Sequence, residues 1–373
     1  MTKLHFALFL IIAFTVFFGM HYFVYSRIAN GLRLTGAGRV WLRVFFLAAA
    51  FLFVITEFIT HRGAADWMNP AAFLGFTWLG VLAIAFGIFL VVDLLRLLIQ
   101  DAPFRYQATV AALALLFAAT VYSLINVALG PSIKEIVIKT DKLPADIERF
   151  AIVQLSDLHI DMLSSEKWLE NIVARTNALE PDIVLITGDL MDGPIQKRPA
   201  ICEILKKLKN RHGVYAISGN HEIYSGMDNF IKLAEASGIT ILDGRKRDIA
   251  GIVELVGIDD ELAARSGKAE EDIRKILLQA PAASPSKFTI LLGHRPDVFI
   301  AAQKIGIDLT LSGHTHAGQI PPMDLLVYLA YKYPWGFSKE GDSYSYVTTG
   351  THIWGPPMRL FSRSEIVRIV LER

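Results

Sequence analysis

No lysine, arginine, aspartate or glutamate occurs from Leu4 to Tyr25, from Trp67 to Val92 or from Tyr106 to Ile133. A bilayer core takes about 20 apolar helical residues, so each stretch is long enough to cross one. Val40 to Ile59 is a fourth such run, with Arg43 and Glu57 near its ends. Together they predict a transmembrane region over residues 1–130 with four helices, at about 4–25, 40–59, 70–95 and 107–129. A secretory signal peptide would account only for the first run, whose apolar part is too long and lacks a small-residue cleavage site before His21 and Arg27. Glu57, Asp93 and Arg96 fall near predicted helix ends, where snorkelling to the interface is the ordinary account.

Basic residues orient such a chain. Arg27, Arg33, Arg39 and Arg43 crowd the first loop, and Arg96 and Arg105 flank the third. The other side carries Lys3 and Arg62, then Lys134, Lys139 and Lys142 at the start of a long domain where charge weighs less. The two arginine-bearing loops are therefore expected in the cytoplasm of an inner-membrane protein, with everything after residue 130 extracytoplasmic. That part holds 29 basic and 32 acidic residues, which lacks the basic excess of a nucleic-acid binder, and no nucleic-acid partner is expected. The single cysteine, Cys202, excludes an intrachain disulfide and a thiolate cluster; its amphipathic helical setting predicts a buried thiol.

Residues 131–149 read as a membrane exit with an edge strand. From Phe150 onward, short apolar runs alternate with helical periodicity, which predicts a layered α/β domain over residues 150–373 with ligands at strand ends. Strands are predicted at 150–155, 182–187, 214–218, 239–242, 253–257, 288–292, 308–311, 344–348 and 364–371. Helices are predicted at 166–179, 199–209, 227–237, 268–278 and 298–304. The late strands are expected to pair as an antiparallel element, completing a two-sheet β-sandwich flanked by helices.

Several strand ends carry chemistry. Asp157-Leu158-His159, Gly188-Asp189, Gly219-Asn220-His221-Glu222, His294 and Gly313-His314-Thr315-His316 each end or follow an apolar run. Any one alone reads as turn chemistry. The ordered set places oxygens and imidazoles along one sheet edge, the layout of a metal site. Oxygen and nitrogen donors without thiolate suit Mn, Fe or Zn, and seven candidates exceed one ion's needs, so two divalent ions are expected. The carboxylate of Asp189 can bridge two cations at about 3.5–4 Å separation. His5, His21, His61, His212 and His352 match no ligand position and read as interfacial or surface residues, with His352 possible at the site because Gly350-Thr351-His352 precedes Gly355-Pro356-Pro357. Asp192 reads as a turn cap.

The order of these fragments resembles the calcineurin-like metallophosphoesterase superfamily over roughly residues 148–373. Gly313-His314-Thr315-His316-Ala317-Gly318-Gln319, Ser156-Asp157-Leu158-His159 and Gly355-Pro356-Pro357-Met358-Arg359-Leu360 look most like its membrane-linked bacterial branch. Asp161 departs from the pattern, where many relatives have Gly. The resemblance implies one ion held by Asp157, His159, Asp189 and His316, and a second by Asp189, Asn220, His294 and His314. It implies His221 as proton donor to the leaving oxygen, and attack by a metal-bridging hydroxide on a phosphodiester or pyrophosphate bond. Residues 320–337 read IPPMDLLVYLAYKYPWGF. This is either a buried helix or, through Leu325, Leu326 and Trp335, a contact with membrane lipids that suits a lipid-linked or envelope-precursor substrate. Cleavage of a UDP-2,3-diacylglucosamine-type pyrophosphate in lipid A synthesis is an alternative that needs a cytoplasmic site. A non-catalytic receptor is another, which missing ligands would signal, and none is missing.

Overall fold

The computed structural model describes residues 3–60, 69–99, 102–161, 164–193, 199–260, 271, 274–275 and 287–373. The chain divides into two compact units. The first contains Met1–Ala128 together with two later segments, Ile320–Met323 and Gly355–Phe361. Its helices are α1 (Lys3–Gly31), α2 (Gly36–Thr60), α3 (Asn69–Leu98) and α4 (Ala102–Ala128). Among the described residues, these four helices are long and apolar enough to cross a membrane. A helix is the form such a run takes in lipid, because each backbone N–H and C=O is then satisfied within its own segment.

α1 and α3 run past their predicted ends and carry charged residues on the added turns. Arg27 Nε lies 2.6 Å from Asp93 Oδ2, and Arg96 Nη1 lies 3.4 Å from Asp93 Oδ1. Asp93 is thus an ion-pair partner joining α1 to α3, a role beyond simple snorkelling. His21 corrects its reading as interfacial. It is 5% exposed, its Nδ1 donating to the Phe17 carbonyl at 2.8 Å and its Nε2 accepting from Trp78 Nε1 at 3.0 Å. A polar ring with both nitrogens satisfied is tolerated in a bundle core.

The two inserted segments pack inside this first unit. Met358 and Ile320 are buried with Ile84, and the Arg359 carbonyl accepts from Asn126 Nδ2 at 2.9 Å. Gly80 makes room, since a Cβ there would stand 2.6 Å from the Met358 sulfur.

The second unit comprises Leu129–Gln319, Asp324–Trp354 and Ser362–Arg373. Its first sheet has the order β1-β12-β2-β3-β4-β5, and its second β10-β11-β9-β8-β7-β6. The first uses β1 (Ser132–Lys139), β2 (Arg149–Leu155), β3 (Ile183–Thr187), β4 (Val214–Ile217), β5 (Thr240–Ile241) and β12 (Glu365–Glu372). The second uses β6 (Arg245–Ile249), β7 (Val253–Ile258), β8 (Phe288–Gly293), β9 (Leu309–Ser312), β10 (Gly336–Glu340) and β11 (Ser343–Val347). Between the sheets, Ile152, Leu185, Ile217, Leu255, Ile290, Leu311 and Ile369 form one buried cluster. Helices α5 (Glu166–Asn177), α6 (Pro199–Leu205), α7 (Asn220–Ser225) and α8 (Met227–Ser237) follow strands of the first sheet, and α9 (Val298–Ala302) follows β8.

Two features position the site. β2, β3 and β4 are mutually parallel neighbours, as are β7, β8 and β9. Their C-terminal ends therefore lie together, where ligands gather in such sheets.

The two predicted late strands do not pair with each other, although β11 lies antiparallel to β10. β11 lies parallel to β9 in the second sheet, whereas β12 is antiparallel to β2 and parallel to β1 in the first. Strands β6 and β10 were not predicted, because their polar, half-exposed residues give no apolar run. Most of the predicted helix at 268–278 lies outside the described residues. Cys202 is half-buried rather than buried. Helix α10 (Met323–Ala330) has no buried residue, and Leu325, Leu326, Tyr328 and Leu329 are exposed, which overturns its reading as a buried helix.

Candidate metal centre

Asp157 and His159 follow β2, Asp189 follows β3, Asn220 opens α7 after β4, His294 follows β8, and His314 and His316 follow β9. Five of these seven residues have left-handed backbone: Asp157 (φ 52°), His159 (41°), Asp189 (51°), His314 (71°) and His316 (50°). Such φ values are uncommon outside glycine, and they cluster where a structure over-determines a functional geometry. They turn successive side chains off the strand ends toward one point. Glycine permits the crowding: a Cβ on Gly219 would collide with the Asp189 carboxylate, and one on Gly313 with Ser156 and Asp157.

Two donors on one ion at right angles, each about 2.1 Å from it, stand about 3.0 Å apart. His159 Nε2 and His316 Nε2 are 3.0 Å apart, His316 Nε2 is 3.5 Å from Asp157 Oδ1, and His159 Nε2 is 3.8 Å from Asp189 Oδ2. A second set surrounds His294 Nε2, with Asp189 Oδ2 at 3.1 Å, Asn220 Oδ1 at 3.2 Å and His314 Nδ1 at 3.2 Å. Asp189 Oδ2 belongs to both sets. The other oxygen, Oδ1, accepts from the His221 backbone N–H at 2.9 Å, which fixes the carboxylate plane.

The second nitrogens of His294 and His159 are also satisfied. His294 Nδ1 donates to the Thr187 carbonyl at 2.8 Å. His159 Nδ1 donates to Asp192 Oδ1 at 2.7 Å, and His221 Nδ1 approaches the same oxygen at 2.8 Å. Asp192 is therefore no turn cap; it joins a donor histidine to the predicted proton donor. Glu222, fully buried, accepts from the backbone N–H groups of Gly219, Asp189 and Met191 at 2.6, 2.9 and 3.0 Å. It locks the loops bearing Asp189 and Asn220, and burial with the charge of Asp189 pushes its carboxyl up to about 7.

Charge follows the same plan. Burial disfavours a charged imidazole throughout, yet Asp192, Asp189 and Asp157 carry His159 up to about 9, and chiefly Asp189 carries His294 up to about 10. Burial, His294 and Arg295 push His314 down to about 3. The carboxylates thus retain protons at places where cations would otherwise supply positive charge. By type, spacing and charge, the donors could hold two divalent cations: the ligand atoms of Asp157, His159 and His316 lie within 4.8 Å of one another, as do those of Asp189, His294 and His314.

Aromatic residues rim the centre. Trp354 and Tyr224 lie 5.8 and 5.6 Å from His221 between ring centroids, and Tyr331 lies 6.2 Å from His314. His352 stacks on Trp168 at 3.9 Å, and its N–H donates to the Asp157 carbonyl at 3.3 Å, which puts it beside the centre and not among the donors. Leu325 and Trp335 are exposed. Their tie to the centre runs through Tyr331 and through Thr315 Oγ1, which donates to the Pro334 carbonyl at 2.7 Å. Asp192, Arg295, Asp260 and Tyr331 escaped sequence reasoning. Only the spacing of Asp192 three residues after Asp189 offered a signal.

Replacing Asp192 by Asn keeps its shape and removes its charge. Metal affinity measured by chelator competition should fall about 10- to 100-fold, as expected when a partner orienting a ligand histidine is lost. Unchanged affinity would show that Asp192 does not orient His159.

The family model for calcineurin-like phosphoesterase matches residues 150–318. An uncharacterized metallophosphoesterase of Helicobacter pylori is 37% identical over 65% of this chain and 64% of its own length. A Danio rerio transmembrane protein with metallophosphoesterase domain is 35% identical over 72% of this chain and 63% of its own. A Bacillus subtilis metallophosphoesterase is 29% identical over 63% and 83%. The chain thus spans a little under two thirds of the first two relatives. By sequence and by the layout of its donor residues, the stretch 150–318 belongs to the calcineurin-like phosphoesterase family.

Proposed function

We propose that this membrane protein is a metal-dependent phosphohydrolase that cleaves a phosphoester or phosphoanhydride bond. The supporting observation is the pair of donor sets sharing Asp189 Oδ2. Asp157, His159, Asp189 and His316 would hold one ion, and Asp189, Asn220, His294 and His314 would hold the other. Bound there, two divalent ions such as Mn, Fe or Zn supply Lewis-acid polarisation of phosphoryl oxygens and an activated water. Asn220 contributes a neutral oxygen, which limits negative charge where an anion must dock. His221, its Nδ1 held by Asp192 at 2.8 Å, keeps Nε2 to protonate the leaving oxygen, with the Asp192 carboxylate stabilising the charged ring.

Purified protein should carry two divalent ions per chain by elemental analysis and hydrolyse bis-p-nitrophenyl phosphate. Asp189→Asn should lose at least one ion and nearly all turnover while keeping its circular-dichroism spectrum. A folded wild-type chain with one ion or none would sink the reading.

The substrate carries a lipid. Leu325, Leu326 and Leu329 are exposed on α10, followed by Trp335, and an apolar helical face of this kind favours the bilayer boundary. Polar replacements of Leu325, Leu326 and Trp335 should depress turnover of phospholipid-type substrates several-fold and spare bis-p-nitrophenyl phosphate. Equal losses on both would remove the lipid from the assignment.

The domain is extracytoplasmic, by the arginines of the first and third loops. A C-terminal alkaline phosphatase fusion should be active and a C-terminal green fluorescent protein fusion dark; the reverse pattern would put the centre in the cytoplasm.

A further inference from the structure

Arg295, directly after the donor His294, takes no part in either donor set. Asp260, whose side chain is 2% exposed, accepts from its Nε at 2.8 Å and from its Nη2 at 3.0 Å. This bidentate pairing fixes the guanidinium plane. The remaining nitrogen, Nη1, is turned toward His314 and lies 3.3 Å from its Nε2. The Tyr331 ring lies 6.2 Å from that of His314 between centroids, and the arginine side chain remains 25% exposed.

His314 presents its Nδ1 to the second donor set. An imidazole that gives Nδ1 to a cation keeps its proton on Nε2 and becomes a donor there, while a guanidinium has donors only. With the cation in place, Nη1 and Nε2 are two donors facing each other, so His314 no longer serves Nη1 as an acceptor, and the partly exposed guanidinium can take an anionic acceptor from outside the protein. One imidazole ring separates Nη1 from the donor set. An oxygen held between the two sets is therefore beyond its reach, whereas a group attached to the same ligand one position further out is within it.

Resting on the metal-dependent reading above, we infer that Arg295 is a substrate-recognition residue that binds a second anionic group next to the scissile phosphoryl group. The preferred substrate class carries two neighbouring anionic centres, and a lone phosphodiester lacks the partner that Nη1 awaits. Asp260 acts through Arg295 by aiming it. Tyr331, at the C-terminal side of α10, supplies the neighbouring wall.

The test uses full-length protein in detergent, loaded with Mn, and compares wild type with Arg295→Gln and Arg295→Lys. Calorimetry reads binding of methylenediphosphonate, which has two adjacent anionic centres, and of orthophosphate, which has one. Wild type should bind the diphosphonate more tightly. Arg295→Gln should lose about tenfold or more of that affinity, the scale of a charge-assisted hydrogen bond, with orthophosphate affinity changed less than threefold and metal content unchanged. Arg295→Lys should recover part of the loss. Parallel loss on both ligands, or a fall in bound metal, would assign Arg295 to holding His314 in place and overturn the inference. A wild-type chain that binds no metal would instead strike at the underlying reading, and the inference would fall with it.

Discussion

One carboxylate oxygen, Asp189 Oδ2, belongs to two donor sets at once, and the surrounding structure serves to hold it there. Its partner oxygen is fixed by the His221 N–H, its own backbone N–H by Glu222, and its loop by the close passage of Gly219. A left-handed non-glycine residue costs about 1–3 kcal/mol, and five of the seven donor residues adopt one. Strain on that scale persists only on a rigid frame. β2, β3 and β4, central in the first sheet and buried along almost their whole length, provide it.

The identity and order of the donors were legible in the sequence because strand ends announce themselves: Ile183 to Thr187 is a continuous apolar run, and Gly188-Asp189 stops it. The partners of the donors were not legible. Asp192 sits in a glycine-containing turn and has the composition of a cap; only the arrival of His159 and His221 from two other strand ends gives its carboxylate a different task. Arg295 and Asp260 are 35 residues apart, and no local pattern couples them. Sheet membership failed in the same way. β11 and β12 follow one another in sequence, yet register with β9 and β2 puts them in different sheets, a choice made by the whole sandwich.

The membrane region shows the same division between local and tertiary information. Three spans follow from the absence of charge, and the fourth from an apolar run with Arg43 and Glu57 near its ends. Nothing in Gly355-Pro356-Pro357-Met358-Arg359-Leu360 announces that this stretch packs with helices some 230 residues earlier, as the Asn126 to Arg359 hydrogen bond shows. What admits it is a small residue at the right helical position, Gly80 against Met358, together with Asn126, whose amide would be costly in an apolar setting without the carbonyl it finds there.

The two donor sets are not electrostatically equal, and the difference gives the centre a direction. The first contains two carboxylates, Asp157 and Asp189, and its histidine His159 leans on a third, Asp192. The second shares Asp189 but has no other carboxylate; Asn220, His294 and His314 complete it, with the Arg295 guanidinium just outside. Equal cations in the two sets would leave the second side more positive. An anionic ligand would settle with its excess charge toward His314 and Arg295, and its leaving oxygen toward the first side, where His221 stands within 4.7 Å of His159 between ring centroids. On the proposed reading, the proton donor His221 and the anion-binding Arg295 thus fall on opposite sides of the shared aspartate.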